Sequence, residues 1–203
     1  MIGCRPLEDG EIKDVLAALR IKPSGTRDQA FFVLGMTSGF RVSELLSLKV
    51  RDVTHHGVLN SYIRIPKTRM KGKKASRSAV IAPMVRPYIV ALLEDLGDKG
   101  AAGGNRWLFQ SRKGCTTLSR IQAHRILAEA FERAEVFGQR GELGTHCMRK
   151  TFASKMWEAH DGNIWKVQNA LGHASPASTV AYLSFEESEQ DAAVDSAFGA
   201  FST

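Results

Sequence analysis

At 203 residues the chain is long enough for one domain with its own hydrophobic core, or for one domain and a small extension. Hydrophobic residues make up 43% of the sequence, yet no apolar run approaches the roughly 18 residues that indicate a membrane-spanning helix. Because the N-terminus also lacks a signal-peptide pattern, we expect a cytoplasmic protein with no membrane partner. The formal net charge of +7 at pH 7 favours a polyanionic partner such as nucleic acid.

The charge is distributed unevenly along the chain. Five acidic and no basic residues follow Phe185, so residues 1–185 carry a net charge of +12. We therefore expect a basic domain over 1–185 and an acidic tail over 186–203, with a helix near 187–198.

The first third of the chain is predicted to be helical, because apolar residues recur there at a spacing of three and four. Gly39 is the expected end of the second helix. The predicted helices are 7–20, a second from a cap at Ser24 or Thr26 to about Thr37, and a third over 42–48.

The sequence then changes from helical spacing to an alternating pattern with β-branched residues. Residues 58–65 predict a strand, and 78–81 predict its antiparallel partner. The basic segment 67–74 would form the loop between them.

The remainder of the chain again predicts helices, with a glycine-rich linker over 97–105. The resulting fold class is mainly α with one small antiparallel sheet (α+β). The predicted helices are 84–96, 119–136, 145–160, 163–171 and 176–184.

Two histidines and two arginines stand out within this framework. His146 and Arg149 are three residues apart on a predicted helix, so both side chains can address one site. Arg41 precedes a predicted helix, where a positive charge does not help stability but suits a bound anion. Glu44, three residues later, could orient that guanidinium through charge-assisted hydrogen bonds.

A tyrosine follows the second histidine at a spacing of nine. Gly172 is expected to end one helix, His173 lies in the turn, and Ser175-Pro176 predicts the start of the next helix. Tyr182 would lie two turns into that short helix.

Metal and cofactor chemistry has little support in the sequence. Neither a phosphate-binding glycine loop with lysine nor a carboxylate cluster is present, and His55-His56 is the nearest approach to a metal pair. We expect no cofactor and no metal site. The cysteines share no metal-ligand spacing and are expected to be free thiols: Cys4, Cys115 and Cys147.

These residues together resemble the tyrosine recombinase (phage integrase) family over about 6–182. Three segments carry the resemblance: the first-arginine box at 38–45, the histidine-x-x-arginine box at 146–153, and the terminal box from 171 to Tyr182. The resemblance implies the catalytic-domain fold of that family over 1–185. It also implies a site-specific recombinase or integrase that cuts and rejoins DNA.

The roles of the site residues follow from the resemblance. Tyr182 would attack the scissile phosphate and form a 3′-phosphotyrosyl link, while Arg41 and Arg149 would bind the non-bridging oxygens. His146 and His173 would donate hydrogen bonds to the phosphate, and His146 is also a candidate for proton transfer. Glu44 would support the surroundings of Arg41.

A lysine of the hairpin would protonate the leaving 5′-oxygen. Lys67 matches the family's lysine best and Lys71 is second. The other cations of this region are expected to contact DNA phosphates or to remain solvated. The predicted DNA-binding residues are Arg64, Arg69, Lys71, Lys73, Lys74 and Arg77.

The expected partner is double-stranded DNA, with a homo-tetramer on DNA and a monomer in its absence. The tail after Tyr182 could pack on its own domain or dock on a neighbouring subunit. Two other functions remain open from the sequence: a type IB topoisomerase that relaxes DNA without pairing two sites, and a non-catalytic DNA-binding relative.

Overall fold

The computed structural model describes residues 4–69, 76–97, 104–112, 116–139, 141–173, 179–180 and 183. Within these ranges the chain forms eight α-helices and two antiparallel sheets of two strands each. The predicted fold class, mainly α with a small antiparallel sheet, is confirmed, although the described residues form two small sheets where one was predicted.

The helices carry most of the fold, and the strands lie between α4 and α5. The helices are α1 (Asp9–Arg20), α2 (Gly25–Ser38), α3 (Val42–Leu45), α4 (Val50–Val53), α5 (Arg86–Asp95), α6 (Arg120–Arg133), α7 (Thr145–Ala159) and α8 (Ile164–Leu171). The strands are β1 (Thr54–His55), β2 (Val58–Leu59), β3 (Tyr62–Ile65) and β4 (Arg77–Val80), with 3-10 turns at Lys67–Arg69 and Pro83–Val85.

Helix α2 lies at the centre of the core. It is apolar on nearly all sides, and Phe31, Phe32 and Leu34 are fully buried. Such a helix is stable only when other elements surround it, and α2 packs against α1, α5 and α7. Phe31 meets Phe109 edge to face, with ring centroids 5.3 Å apart. The C-terminal end of α2 is therefore a fixed point in the molecule.

Two helices end in the way that their glycines predict. Gly39 follows α2 with φ of 57° and Gly172 follows α8 with φ of 62°, both in the left-handed region. At the other end of α8, the side chain of Asn163 accepts a hydrogen bond from the Lys166 amide at 3.2 Å. The length and direction of α8 are thus set at both ends.

A small second core joins α7 to α8. Its buried residues are Ala153, Val167 and Leu171. Partly buried side chains pack around them: Phe152, Met156, Trp157 and Leu183. This contact fixes the end of α8 relative to α7.

The predicted strand over 58–65 was wrong in its extent. Strand β2 pairs with β1, whereas β3 pairs with β4, so the segment belongs to two separate sheets. The backbone turns between them, where the Asn60 amide donates to the Val53 carbonyl at 2.9 Å. In the second sheet Tyr62 lies opposite Val80 and Ile65 lies opposite Arg77.

The predicted helix over 42–48 was also too long. Helix α3 ends at Leu45, because the next amides form the tighter i→i−3 bonds of a 3-10 turn. The Ser47 amide donates to the Glu44 carbonyl at 3.1 Å, and the Leu48 amide to the Leu45 carbonyl at 3.1 Å. The chain then extends, and the Leu48 carbonyl accepts from the Leu108 amide at 2.9 Å.

Two predicted helices lie largely outside the described residues. Of the helix at 176–184, only residues 179–180 and 183 are described, and the helix at 187–198 falls wholly outside. Among the described helices, none combines the length and the apolar content needed to cross a bilayer.

Gly39 provides a test of this packing, with Gly57 as its control. Both have positive φ, but a Cβ on Gly39 would overlap the Phe152 ring, whereas one on Gly57 would meet nothing within 4 Å. Gly57→Ala should lower the free energy of unfolding by about 1 kcal/mol through backbone strain alone. Gly39→Ala should cost a further ~1–3 kcal/mol because of the overlap. Urea unfolding measures both, and equal losses would contradict the packing described.

Candidate active site

Four separate segments meet at one place in the fold. They are the turn after α2 together with the start of α3, the first residue of β4, the N-terminal half of α7 and the turn after α8. The side chains that they contribute are Arg41, Glu44, Arg77, His146, Arg149 and His173. Five of these six were predicted as one catalytic group, and the structure brings those five together with Arg77.

Arg149 joins α7 to the ends of two other helices. Its side chain is buried, with 3% of the residue exposed. The guanidinium donates hydrogen bonds to the carbonyls of Gly39, after α2, and Leu171, at the end of α8, the latter at 2.9 Å. Carbonyls at a helix C-terminus lack partners within the helix and carry partial negative charge, so they suit a buried cation.

Arg41 is held by Glu44 at the start of α3. The Glu44 carboxylate accepts from the Arg41 backbone amide at 2.8 Å and from its guanidinium at 3.1 Å. Glu44 is almost fully buried, whereas a third of the Arg41 side chain is exposed. The carboxylate therefore fixes one edge of the guanidinium and leaves the other edge accessible.

Arg77 lies in the same cluster, which corrects its predicted role. We expected Arg77 to contact DNA or to remain solvated, but its side chain is only 7% exposed. Its guanidinium donates to the carbonyls of Gly39 at 2.9 Å, Ser38 at 3.1 Å and Ala170 at 2.7 Å. A position inside the pocket wall does not fit a surface contact with DNA.

The cluster carries an excess of positive charge. The cluster holds the guanidiniums of Arg41, Arg77 and Arg149 and the carboxylate of Glu44, which contacts Arg41 and Arg77; this leaves a net charge of +2 among these four groups. Burial weakens screening by water, so this charge acts strongly on its neighbours. A fixed cationic pocket of this kind stabilises a phosphodiester on which negative charge develops.

Both histidines respond to this charge. Burial, followed by the charges of Arg149 and Arg41, lowers the pKa of His146 below its usual 6.5. Burial and the charges of Arg149, Arg41 and Arg77 lower the pKa of His173 to about 4. Both imidazoles are therefore neutral at pH 7, each with one ring nitrogen that donates and one that accepts.

His173 is oriented by two neighbours outside the arginine cluster. Its Nδ1 lies 2.9 Å from the hydroxyl of Thr179, which is fully buried. The Gln168 side chain donates to the His173 carbonyl at 3.0 Å, and the His173 amide donates to the Gln168 carbonyl at 3.1 Å. These contacts fix both the ring and the backbone of His173.

The hairpin residues have different surroundings. The side chains of Lys67 and Arg64 are exposed, and neither side chain forms a hydrogen bond or ion pair with another described residue. Arg69 instead makes a two-point contact with Asp52, at 2.6 and 3.0 Å. The roles of Lys67, Arg64 and Arg69 toward DNA stay predictions.

Several predicted residues lie outside the described part of the chain: Tyr182, Lys71, Lys73 and Lys74. In the sequence, the described residues nearest to Tyr182 are Leu183 on one side and Val180 on the other, and Thr179 precedes Val180. Thr179 contacts His173, and Leu183 packs on the small core between α7 and α8. The chain on both sides of Tyr182 is thus attached to elements that build the pocket.

The described residues hold no group of three or more histidine, cysteine or acidic side chains placed to bind a metal ion. His55 and His56 contact each other edge to face, with ring centroids 4.2 Å apart. Cys4 and Cys147 are free thiols as predicted, and Cys115 lies outside the described residues.

Sequence reasoning missed the structural role of Arg77, although the sequence contains a usable pattern. In a strand, side chains alternate between two faces. Residues 77, 79 and 81 therefore point to the same face. Because Ile81 is buried and Ala79 is partly buried, Arg77 must also face the interior. The contact of Thr179 with His173 had no comparable pattern in the sequence, because the two residues are six positions apart.

The profile of the phage integrase family matches residues 5–189, most of the chain. The chain belongs to the phage integrase family. The resemblance found in the sequence is therefore confirmed. The probable integrase/recombinase YoeC of Bacillus subtilis (strain 168) is 34% identical over 167 residues, which cover 82% of each chain.

Other members of the phage integrase family are longer. Tyrosine recombinase XerC of Vibrio campbellii (strain ATCC BAA-1116) is 29% identical over 177 residues, which cover 87% of this chain and 52% of the relative. The chain thus spans about half the length of this XerC and of similar XerD relatives.

Solved structures confirm the fold of a tyrosine recombinase catalytic domain. The crystal structure of XerA recombinase has a TM-score of 0.71 at 24% identity, over 97% of this chain and 66% of XerA. The catalytic domain of bacteriophage HP1 integrase has a TM-score of 0.57 at 21% identity, over 95% and 94% of the two chains.

The low pKa of His173 predicts a pH-dependent stability. The unfolded chain takes up this proton near pH 6.5, whereas the folded protein resists protonation until about pH 4. Acidification through this window therefore favours unfolding. His173→Gln should reduce the loss of unfolding free energy between pH 6.5 and 4, measured by urea unfolding.

The matched control is His55→Gln, at an exposed histidine outside the cluster. It should leave the wild-type pH profile unchanged. A His173→Gln profile that parallels the wild type would contradict the placement of this ring beside the arginines.

Proposed function

We propose that this chain is a site-specific DNA recombinase or integrase that cuts and rejoins double-stranded DNA through Tyr182. One observation carries the proposal: Arg41, Arg149, His146 and His173 converge in a single pocket with excess positive charge. The family and the names of its relatives support it, since these are integrases and tyrosine recombinases.

The first chemical step is attack by the Tyr182 phenol on the scissile phosphorus. The new bond joins the phenolic oxygen to phosphorus, the bond to the 5′-oxygen breaks, and a 3′-phosphotyrosyl link remains. Forming phenolate at pH 7 costs about 4 kcal/mol from a pKa near 10. Arg41 and Arg149 offset this cost, because they neutralise the non-bridging oxygens as charge develops.

Two protons move in this step. Neutral His146 has a ring nitrogen that can accept the phenolic proton. The leaving 5′-oxygen takes a proton from Lys67, the exposed hairpin lysine. Because the phosphotyrosyl link conserves the energy of the phosphodiester, a 5′-hydroxyl can reverse the reaction and reseal the strand without an energy source.

Removal of the Tyr182 hydroxyl should abolish the covalent step. The substrate is a nicked duplex that carries the junction of the DNA element encoding the chain, so that cleavage releases a short strand and traps the enzyme on DNA. Wild type should give a covalent protein–DNA band on denaturing gels, and Tyr182→Phe should give none. The reason is that phenylalanine has no oxygen with which to attack.

The other two tyrosines are the matched controls. Tyr62→Phe and Tyr88→Phe make the same chemical change on β3 and α5, and both should keep the band. A band of wild-type strength from Tyr182→Phe would refute the assignment. Relaxation of a supercoiled plasmid that carries no junction would identify a topoisomerase instead.

We also propose that 1–185 is the catalytic unit and that the tail 186–203 docks on a neighbouring subunit of a tetramer on DNA. The tail combines five acidic residues with apolar ones near its end. It follows a domain of net charge +12, so a second copy of that domain offers complementary charge.

Loss of the apolar anchor should weaken assembly. The double variant Phe198→Ser/Phe201→Ser should shift sedimentation of the DNA complex from tetramer toward dimer and monomer, because it removes the largest buried side chains of the proposed contact. The double variant Asp191→Asn/Asp195→Asn tests the charge alone and should act more weakly. Unchanged sedimentation in both would show that the tail has no role between subunits.

A further inference from the structure

We propose that Arg77 is a positioning residue for DNA cleavage, which holds the first-arginine turn against the end of α8 and so aligns Arg41 with Arg149. This inference rests on the proposed function. It assigns Arg77 to the phosphate pocket, as a residue that acts through other residues and does not touch DNA.

The contacts of Arg77 connect three parts of the chain. Its backbone begins β4, opposite Ile65 of β3. Its guanidinium donates to carbonyls at the end of α2, at 2.9 and 3.1 Å, and to the Ala170 carbonyl of α8, at 2.7 Å. One side chain thus joins the hairpin, the turn that precedes Arg41 and the turn that precedes His173.

Arg77 and Arg149 lie side by side between the same two helix ends. The Gly39 carbonyl accepts hydrogen bonds from both guanidiniums. At the end of α8, Arg77 uses the Ala170 carbonyl and Arg149 uses the next one, that of Leu171. A displacement of Arg77 would therefore move an acceptor that also orients Arg149.

Arg77 also acts on Arg41 through Glu44. The Arg77 guanidinium lies 3.5 Å from Oε2 of Glu44, the oxygen that accepts from the Arg41 amide. The other oxygen of Glu44 contacts the Arg41 guanidinium. In addition, the Arg77 guanidinium lies over the Phe40 ring at 4.9 Å from its centroid. Arg77 therefore contacts both residues that precede Arg41, through the carbonyl of Gly39 and the ring of Phe40.

The arrangement requires the shape of arginine as well as its charge. A planar guanidinium offers five donors in a fixed fork and can reach three carbonyls on two separate segments, whereas lysine is a point charge. Space is also limited, because a Cβ on Gly172 would lie 3.1 Å from Cδ of Arg77. Burial, the charge of Arg149 and that of Arg41 lower the pKa of Arg77 to about 10, despite the opposing charge of Glu44, so it stays charged at pH 7.

The strand pairing offers a second role for Arg77, and the experiment must distinguish it from the alignment of the arginines. Ile65, opposite Arg77, precedes Lys67 by two residues. Arg77 could thus serve the hairpin lysine and the leaving group. The contacts favour the arginine pocket, because the side-chain hydrogen bonds of Arg77 to described residues go to α2, the turn after it, Glu44 of α3 and α8.

The experiment compares Arg77→Lys and Arg77→Met with wild type in single-turnover cleavage of three nicked duplexes. The first duplex is unmodified. The second has a methylphosphonate at the scissile position, which removes one negative charge and lessens the need for aligned arginines. The third has a 5′-bridging sulfur, whose leaving thiolate needs no proton because thiols have a pKa of about 8.5.

On the unmodified duplex we expect both variants to cleave about 10²-fold more slowly than wild type, the size of effect that a misplaced catalytic group produces. DNA affinity should change by less than about threefold, because many phosphate contacts determine it. The ratio of wild-type to variant rates should shrink on the methylphosphonate duplex and persist on the sulfur duplex.

Any other pattern overturns the proposal. A ratio that shrinks on the sulfur duplex would assign Arg77 to leaving-group protonation, and an equal ratio on all three duplexes would show a general loss of structure. Wild-type cleavage by Arg77→Lys would show that charge alone suffices. Urea unfolding shows whether either variant fails to fold. If one does, the cleavage rates of the other variant test the proposal.

The matched control is Arg133→Met, at an exposed arginine in the last turn of α6, which should cleave like wild type. Formation of the covalent complex by wild type distinguishes failure of this inference from failure of the proposed function. If wild type forms no covalent complex, the proposed function fails. If wild type does so and the Arg77 variants behave otherwise than expected, only this inference fails.

Discussion

The carbonyl oxygen of Gly39 is the atom on which the arrangement of the site depends. It accepts hydrogen bonds from the guanidiniums of both Arg77 and Arg149, which arrive from β4 and α7. Gly39 can present this oxygen because its left-handed backbone ends α2 there and directs the chain toward Arg41. Since α2 is buried on nearly all sides, the oxygen has a fixed position. The pocket is therefore anchored to the core, although its side chains come from distant parts of the sequence.

Such a pocket is costly for the folded protein. Each buried charge loses hydration worth several kcal/mol, and neighbouring guanidiniums repel each other. The lowered pKa of Arg77 reflects both effects, first burial and then the charge of Arg149. The C-terminal carbonyls of α2 and α8 and the carboxylate of Glu44 offset part of this cost. Three guanidiniums and one carboxylate leave a net positive charge among these four groups, which attracts an anion.

The sequence predicted the helical framework from local patterns, and it predicted five members of the arginine–histidine cluster from short motifs and the family resemblance that they carry. The glycines after α2 and α8 and the spacing of His146 and Arg149 can all be recognised from nearby residues. The division of 58–65 between two sheets was not readable, because strand pairing depends on which partner segment lies beside it in three dimensions. The role of Arg77 was missed because a cluster of cations was taken as one DNA-facing surface. Alternation along β4 separates this buried arginine from its exposed neighbours.

The same charges that attract a phosphate also act on the histidine to which we assign proton transfer. Burial, followed by the charges of Arg149 and Arg41, lowers the pKa of His146, so its imidazole is neutral at pH 7 and has a ring nitrogen that can accept a proton. As an attacked phosphate gains negative charge, that charge offsets the arginines and raises the proton affinity of the imidazole. In the proposed mechanism, His146 thus becomes a better base as the phenolic oxygen approaches phosphorus. A histidine that already carried a second proton could not accept the phenolic proton, so in this mechanism the arginine charges favour both stages.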